Sequence, residues 1–311
     1  MTIDVLGLGC AAVDDLLYLP YYPPPDAKMP VSKRDRQCGG LTATAMVAAA
    51  RMGSSCAYAA ALGDDDLSKF VMERLQKAGV DTSHVVHRAA ARPFHSIILV
   101  DESTGTRNIF FDNTGVIGAD PSGPSQDVIR SARVLFTDHV GIAGSIRGAK
   151  LARVHGIPVV ADLERNDSPH FGELLALVNH PILSRDFALM ITGEEDPARA
   201  VRKLWHTGCD TVVVTCGSEG CWYLGKGDHE PRFQSAFEVE VVDTTGCGDV
   251  FHGAYASALA RGVERAERIR FASAVAALKA TQPGGQVGIP TRAVVDEFLK
   301  NYSSRFGASR E

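Results

Sequence analysis

Val242-Asp243-Thr244-Thr245-Gly246-Cys247-Gly248-Asp249-Val250-Phe251-His252-Gly253 is the stretch where an apolar run gives way to a helix. Val239–Val242 reads as a strand and Asp249–Arg261 as the helix, with a glycine-rich turn between them. A turn of this kind at a helix N-terminus leaves backbone N–H groups free, and the helix dipole favours an anion there. Gly246 and Gly248 let the backbone come close to a phosphate. Asp249, in the first helical turn, has two readings. One is a capping carboxylate. The other is a base that takes the proton of a hydroxyl attacking a phosphoryl group, a role that explains an acid placed beside an anion site.

On either side of this turn the chain reads as α/β. Val5–Gly9 reads as a first, buried strand. Downstream, Val134–Thr137, Pro158–Asp162, Pro181–Leu183 and Thr211–Thr215 read as strands. The helices expected between and after them are Ser145–His155, Phe171–Asn179, Pro197–His206 and Arg268–Ala280. The alternation predicts a three-layer α/β/α domain around a mostly parallel sheet. Prolines at 20 and 23–25 and the hairpin pattern 96–111 break that rhythm. They predict a small β lid formed by about 12–37 and 93–114, within a single domain spanning 1–311. Thr42–Met52 and Leu67–Ala78 read as helices.

The 311 residues are 45% hydrophobic and 22% charged with a net charge of −5, which argues against a nucleic-acid or membrane surface. Seven cysteines lack any CxxC pair or zinc spacing, so free thiols in a reducing compartment are expected. The N-terminus has no basic region before an apolar run and reads poorly as a signal peptide, so a cytoplasmic protein is expected.

The run from Asp243 to Gly253 resembles the signature DTTGAGD-x-F-x-G of the ribokinase-like, or PfkB, carbohydrate kinases, departing at Cys247, where Ala is usual. Gly39-Gly40 through Gly53 is similar to that family's GG-x-x-x-N-x-A-x-x-x-A-x-L-G, with Thr44 in place of the Asn. Thr215-Cys216-Gly217-Ser218-Glu219-Gly220 resembles its T-x-G-x-x-G nucleotide turn. The resemblance spans Val5 to about Phe298. It implies ATP-dependent phosphorylation of a sugar, with Asp249 as catalytic base and Gly246, Cys247 and Gly248 as the anion hole. It places substrate at Asp14, with Asp15 as the alternative, and at Gly39, Gly40, Thr44 and Arg107. It places nucleotide at Thr215, Gly217 and Gly220.

The implied cofactors are ATP and Mg2+, with a monovalent cation such as K+ near Asp243 and the 281–288 loop. The family's Asn-x-x-Glu metal motif aligns with Ser184-Arg185-Asp186-Phe187, which lacks the Glu. Asp186 and Asp162 are the other acids to consider for Mg2+. The sequence looks closest to the sulfofructose kinase and ketohexokinase branches, which implies a ketose ahead of ribose or a nucleoside. The lid strands imply a homodimer.

Two other readings are open. Gly7-Leu8-Gly9-Cys10-Ala11-Ala12 matches G-x-G-x-x-A after the first strand, as in nicotinamide-dependent oxidoreductases, but the prolines at 20–25 deny the long helix that a dinucleotide needs. A non-catalytic sugar or nucleotide sensor could share the fold.

Overall fold

Strand β1 (Ile3–Leu8) is buried along nearly its whole length, as a strand covered by helices on both faces must be. The computed structural model describes residues 2–306, with side chains to 302, so the ends of the expected 1–311 domain lie outside the described residues. After β1, strand β2 (Ala12–Leu19) leaves the main body and β3 (Lys33–Gly39) returns to it. Then come α1 (Leu41–Arg51), β4 (Cys56–Tyr58), β5 (Ala61–Leu62), α2 (Asp66–Lys77), β6 (Val80–Asp81), β7 (Val86–His87), β8 (Phe94–Asp101) and β9 (Arg107–Asp112). The alternating part follows as α3 (Gln126–Arg130), β10 (Ala132–Asp138), α4 (Ile142–Val154), β11 (Val159–Asp162), α5 (Phe171–Leu177), β12 (His180–Ser184), α6 (Arg185–Thr192), α7 (Pro197–Leu204) and β13 (Thr211–Thr215). The chain closes with β14 (Gly220–Gly225), β15 (Arg232–Ser235), α8 (Cys247–Ala260), α9 (Arg265–Ala280) and α10 (Arg292–Phe306).

The main sheet has nine strands in the order β15-β14-β13-β12-β11-β10-β1-β4-β6. It is parallel from β6 to β13 and antiparallel at its last two strands. Side chains alternate between two apolar layers. Val5, Val134, Phe136 and Val213 face α1, α8 and α9, whereas Leu6, Leu135, Val212 and Val214 face α4 and α7. Burying each such Val or Leu contributes about 1.5–3 kcal/mol. The two central helices on the first face approach very closely. A Cβ at Gly253 of α8 would lie 2.1 Å from the Ala45 carbonyl oxygen of α1, so the Ala-rich sequence of α1 and this glycine fix how closely α8 lies on α1.

The second sheet, β3-β2-β8-β9, is built from the segments expected to form the lid. Its β2 runs parallel to β8, with Asp14 opposite Ser96, and antiparallel to β3, with Asp14 opposite Gln37. Strand β9 is exposed at every residue and forms the open edge.

Val239–Val242, expected as a strand, is irregular. Val241 and Val242 are 57% and 60% exposed, and the N–H groups of Val242 and Asp243 go to the Ala280 carbonyl instead of a ladder. The β14–β15 hairpin, α6 and α10 were not foreshadowed by the pattern. The segment after Gly7–Ala12 is a strand and not a helix, so the dinucleotide reading lacks its anion-binding helix end. All seven cysteines are free. Among the described residues no helix is long and apolar enough to cross a membrane.

Candidate active site

Gly246 caps α8 in the left-handed region (φ 74°), a conformation that costs a side-chain-bearing residue more than glycine. No side chain caps the helix; the Cys247 N–H turns back to the Thr244 carbonyl at 3.1 Å, and the Gly248 N–H beside it is left without a capping side chain. Gly248 faces open space, with no atom within 4 Å of where a Cβ would stand. Cys247 Sγ points inward toward the Ala276 carbonyl at 3.6 Å. Asp249 is partly exposed, and its Oδ2 lies 3.7 Å from the position of a Gly246 Cβ. Loss of water, then repulsion from Asp162 and Glu164, pushes the Asp249 carboxyl well above the usual carboxylate range. Such a group is poised to accept a proton.

His252, one turn further along α8, is buried and anchors that turn. Its Nδ1 lies 2.7 Å from the Gly248 carbonyl and its Nε2 lies 2.9 Å from the Ile182 carbonyl of β12. Asp162, at the end of β11, sits 3.4 Å from the same Nδ1, and burial followed by repulsion from Glu164 raises its pKa well above the usual range. Asp138, fully buried at the end of β10, accepts hydrogen bonds from the Cys10 N–H and the Thr42 hydroxyl, both 2.7 Å, and from the Val140 N–H at 2.8 Å. It thus fastens the ends of β1 and β10 to the start of α1. The sequence marked neither His252 nor Asp138 for a role, although both lie at motif or strand ends, where open α/β sheets gather polar groups.

Asp243 ties the glycine turn before α8 to the 281–288 loop. Its carboxylate accepts from the Thr245 and Gly284 N–H groups, each at 2.8 Å. Burial acts upward on its pKa, but Thr245, Gly284 and the Lys279 charge outweigh burial and hold it below its ordinary value. The same loop reaches the other half of the predicted site. Gln286 Nε2 donates to Thr44 Oγ1 at 3.2 Å, and the Gly285 N–H donates to Gln37 Oε1 at 3.4 Å. Gly285 Cα is also 3.4 Å from the place of a Gly246 Cβ. Residues 284–286 therefore touch both the Thr44 side and the Gly246 side. A Gln amide from this loop stands beside Thr44, where the resemblance expects an Asn; the sequence alone could not reveal a contact across 242 positions.

Asp14 and Asp15 point to opposite faces of the lid, as neighbours on a strand do. Asp15 is engaged by Arg36 through two hydrogen bonds, 2.6 and 2.8 Å, and by His95 at 2.8 Å, and Arg36 leads the causes that lower its pKa. Asp14 is raised, mainly by burial. Its Oδ2 lies over Gly39, only 2.7 Å from a would-be Cβ, so Gly39 makes room for the carboxylate. At Gly40 a Cβ would strike the Ala11 backbone at 2.6 Å. Arg107, on the exposed hairpin, crosses to the turn before α8 and donates to Thr245 Oγ1 at 2.8 Å.

Thr215 ends β13, its hydroxyl donating to the Leu183 carbonyl at 3.3 Å. Gly217 opens onto free space, whereas Gly220 has a packing reason, since a Cβ there would lie 2.0 Å from the Gln234 carbonyl of β15. Ser184 ends β12. Its Oγ caps α6 by accepting from the Phe187 N–H at 3.4 Å, and Phe187 packs edge-on against Phe171. The Asp186 side chain is 98% exposed. Asp162 is covered by His252. Among the described residues no group of three or more His, Cys, Asp or Glu is placed to hold a metal ion. A cavity of about 700 Å³ lies at the amino ends of the parallel strands, lined by Ile157, His180, Thr211 and Arg268 among others, and contains none of these site residues.

The sequence profile of the pfkB family carbohydrate kinases matches residues 9–292. The chain is 28% identical to a ribokinase of Haemophilus influenzae over 94% of its length and 97% of the relative's. It is 28% identical to an aminoimidazole riboside kinase of Salmonella typhimurium over 85% of its length and 88% of the relative's. The solved structure of Arabidopsis thaliana ribokinase with ribose and ATP superposes with a TM-score of 0.87 at 26% identity, covering 96% of this chain and 99% of that one.

Proposed function

Because the chain belongs to the pfkB family of carbohydrate kinases and is a sugar phosphotransferase that uses ATP, we propose that Asp249 deprotonates a hydroxyl of a ketose-like sugar. The sugar oxygen then bonds to the γ-phosphorus, the bond from that phosphorus to the bridging oxygen breaks, and ADP leaves. The N–H groups of Gly246 and Gly248 hold the charge on the moving phosphoryl group, joined by that of Cys247 once it leaves the Thr244 carbonyl. The observation that carries this reading is the raised, partly open Asp249 carboxyl beside the uncapped turn. The loop at 284–286 joins that turn to Thr44.

The sugar lies between Asp14, Gly39, Gly40, Thr44 and the lid, with Gln286 as a further hydroxyl partner. Two hydroxyls on Asp14 would make charge-assisted bonds. Arg107 spans from lid to turn, so closing the lid also brings a cation beside the phosphoryl group. The triphosphate runs along the carboxyl ends of the strands past Thr215, Gly217 and Gly220. Magnesium comes with the nucleotide, held by phosphate oxygens and water. The open β9 edge, where Ile109, Phe110 and Phe111 are 52%, 53% and 61% exposed, supports pairing with a second copy.

ADP release measured across ketoses, aldoses, sulfonated sugars and nucleosides tests the substrate. A ketose should give the highest kcat/KM; ribose or a nucleoside exceeding every ketose would overturn that part.

A further inference from the structure

Lys279, near the end of α9, is completely buried. A buried cation must find an oxygen partner, because its lost hydration is otherwise uncompensated. Its Nζ donates to the main-chain carbonyl of Asp243 at 2.8 Å. Asp243 is the residue that clasps the phosphate turn to the 281–288 loop: its carboxylate takes the N–H groups of Thr245 and Gly284, and its own N–H goes to Ala280. The positive charge also reaches the turn itself, since it opposes the upward effect of burial on Cys247.

This is the place where an external monovalent cation was expected. An ammonium group and a potassium ion are of similar size and favour the same carbonyl oxygens, so one cradle accommodates either, and two like charges there would repel. We infer that Lys279 is a built-in cation that does the work of an external monovalent ion, bracing the Asp243 turn against the 281–288 loop and placing positive charge behind Gly246–Gly248. The kinase then needs no K+. Lys279 is a positioning residue, because it acts on the phosphoryl group through the turn. The inference rests on the assignment of that turn to the phosphoryl group.

The test compares the wild-type protein in potassium, sodium and tetramethylammonium chlorides of equal ionic strength. ADP release should stay within about threefold across the salts, and the melting midpoint should not respond specifically to K+. Activation by K+ beyond about threefold, or a melting midpoint raised by K+ alone, overturns the inference. Should no sugar turn over in any salt, the substrate assignment has failed, and the melting comparison still decides the cation question. Lys279→Ala supplies the converse. It removes the ammonium and leaves space, so activity should fall about tenfold or more in tetramethylammonium chloride and recover in potassium or ammonium chloride. A folded variant as active as wild type in tetramethylammonium chloride contradicts the role. If the variant does not fold, the wild-type comparison stands alone.

Discussion

Replacing Gly39 with Ala probes the sugar side of the site without touching a proposed catalytic group. The new Cβ would stand 2.7 Å from Asp14 Oδ2 and 3.7 Å from the Ala12 Cβ, so the Asp14 carboxylate meets nearly all of the conflict. Restoring ordinary contact requires a shift of about 0.7 Å in that oxygen. Because β2 is hydrogen-bonded on both sides, to β3 and to β8, its backbone stays in place and the carboxylate gives way by rotating off its present position. Misplacing a positioning group by about 1 Å costs on the order of a hundredfold in rate. A shift of this size should therefore lower kcat/KM for the sugar by roughly 10- to 50-fold, equivalent to about 1.4–2.3 kcal/mol. Initial rates of ADP release, varying sugar and ATP separately, give the answer. The loss should appear in the sugar dependence, with the KM for ATP within about twofold of wild type. An unchanged sugar kcat/KM would refute the placement of substrate at Asp14. An equal loss in the ATP dependence would show that the substitution disturbs the whole fold.

Three further outcomes follow from other contacts. Asp249 must be ionised to act, so kcat/KM should rise with pH through a value above the ordinary carboxylate range. Asp162→Asn removes a negative neighbour and should move that acid limb to lower pH; an unmoved limb would deny the coupling. Gly253→Ala forces a Cβ against the Ala45 carbonyl and should cost about 1–3 kcal/mol, seen as a lowered melting temperature; undiminished stability would mean that α1 and α8 are less tightly packed than described. Arg107→Ala removes the bond from the lid to Thr245 and should lower sugar kcat/KM by about fivefold while raising ADP release in the absence of sugar. No change in either rate would leave Arg107 as an ordinary surface cation.

The glycine turn at the start of α8 was legible because its pattern is local: two glycines, an acid and a helix start lie within a few residues. The parallel sheet was legible because buried strands and their covering helices each leave an apolar pattern. What escaped depends on distance or on partners. Val239–Val242 has the apolar content of a strand but no neighbouring strand to pair with. At Gly220, read as part of a nucleotide turn, the close approach of β15 was not visible in the sequence. Ser184 and Phe187 aligned with a metal motif, but a helix cap and an aromatic contact claim them. Lys279 looked like any lysine at a helix end, where the side chain usually reaches water. Its burial follows from α9 packing against α8 and from a carbonyl 36 positions earlier in the chain. Gln286 became visible as a partner of Thr44 only once the late loop folded over α1.

The central claim is that the Asp249 carboxylate takes the proton of the sugar hydroxyl, and Asp249→Asn tests it most directly. The amide keeps the shape of the side chain and removes the base. The account predicts that sugar-dependent ADP release falls by about 10²- to 10⁴-fold while ATP still binds with near wild-type affinity. Turnover close to wild type in a variant that binds ATP normally would contradict it.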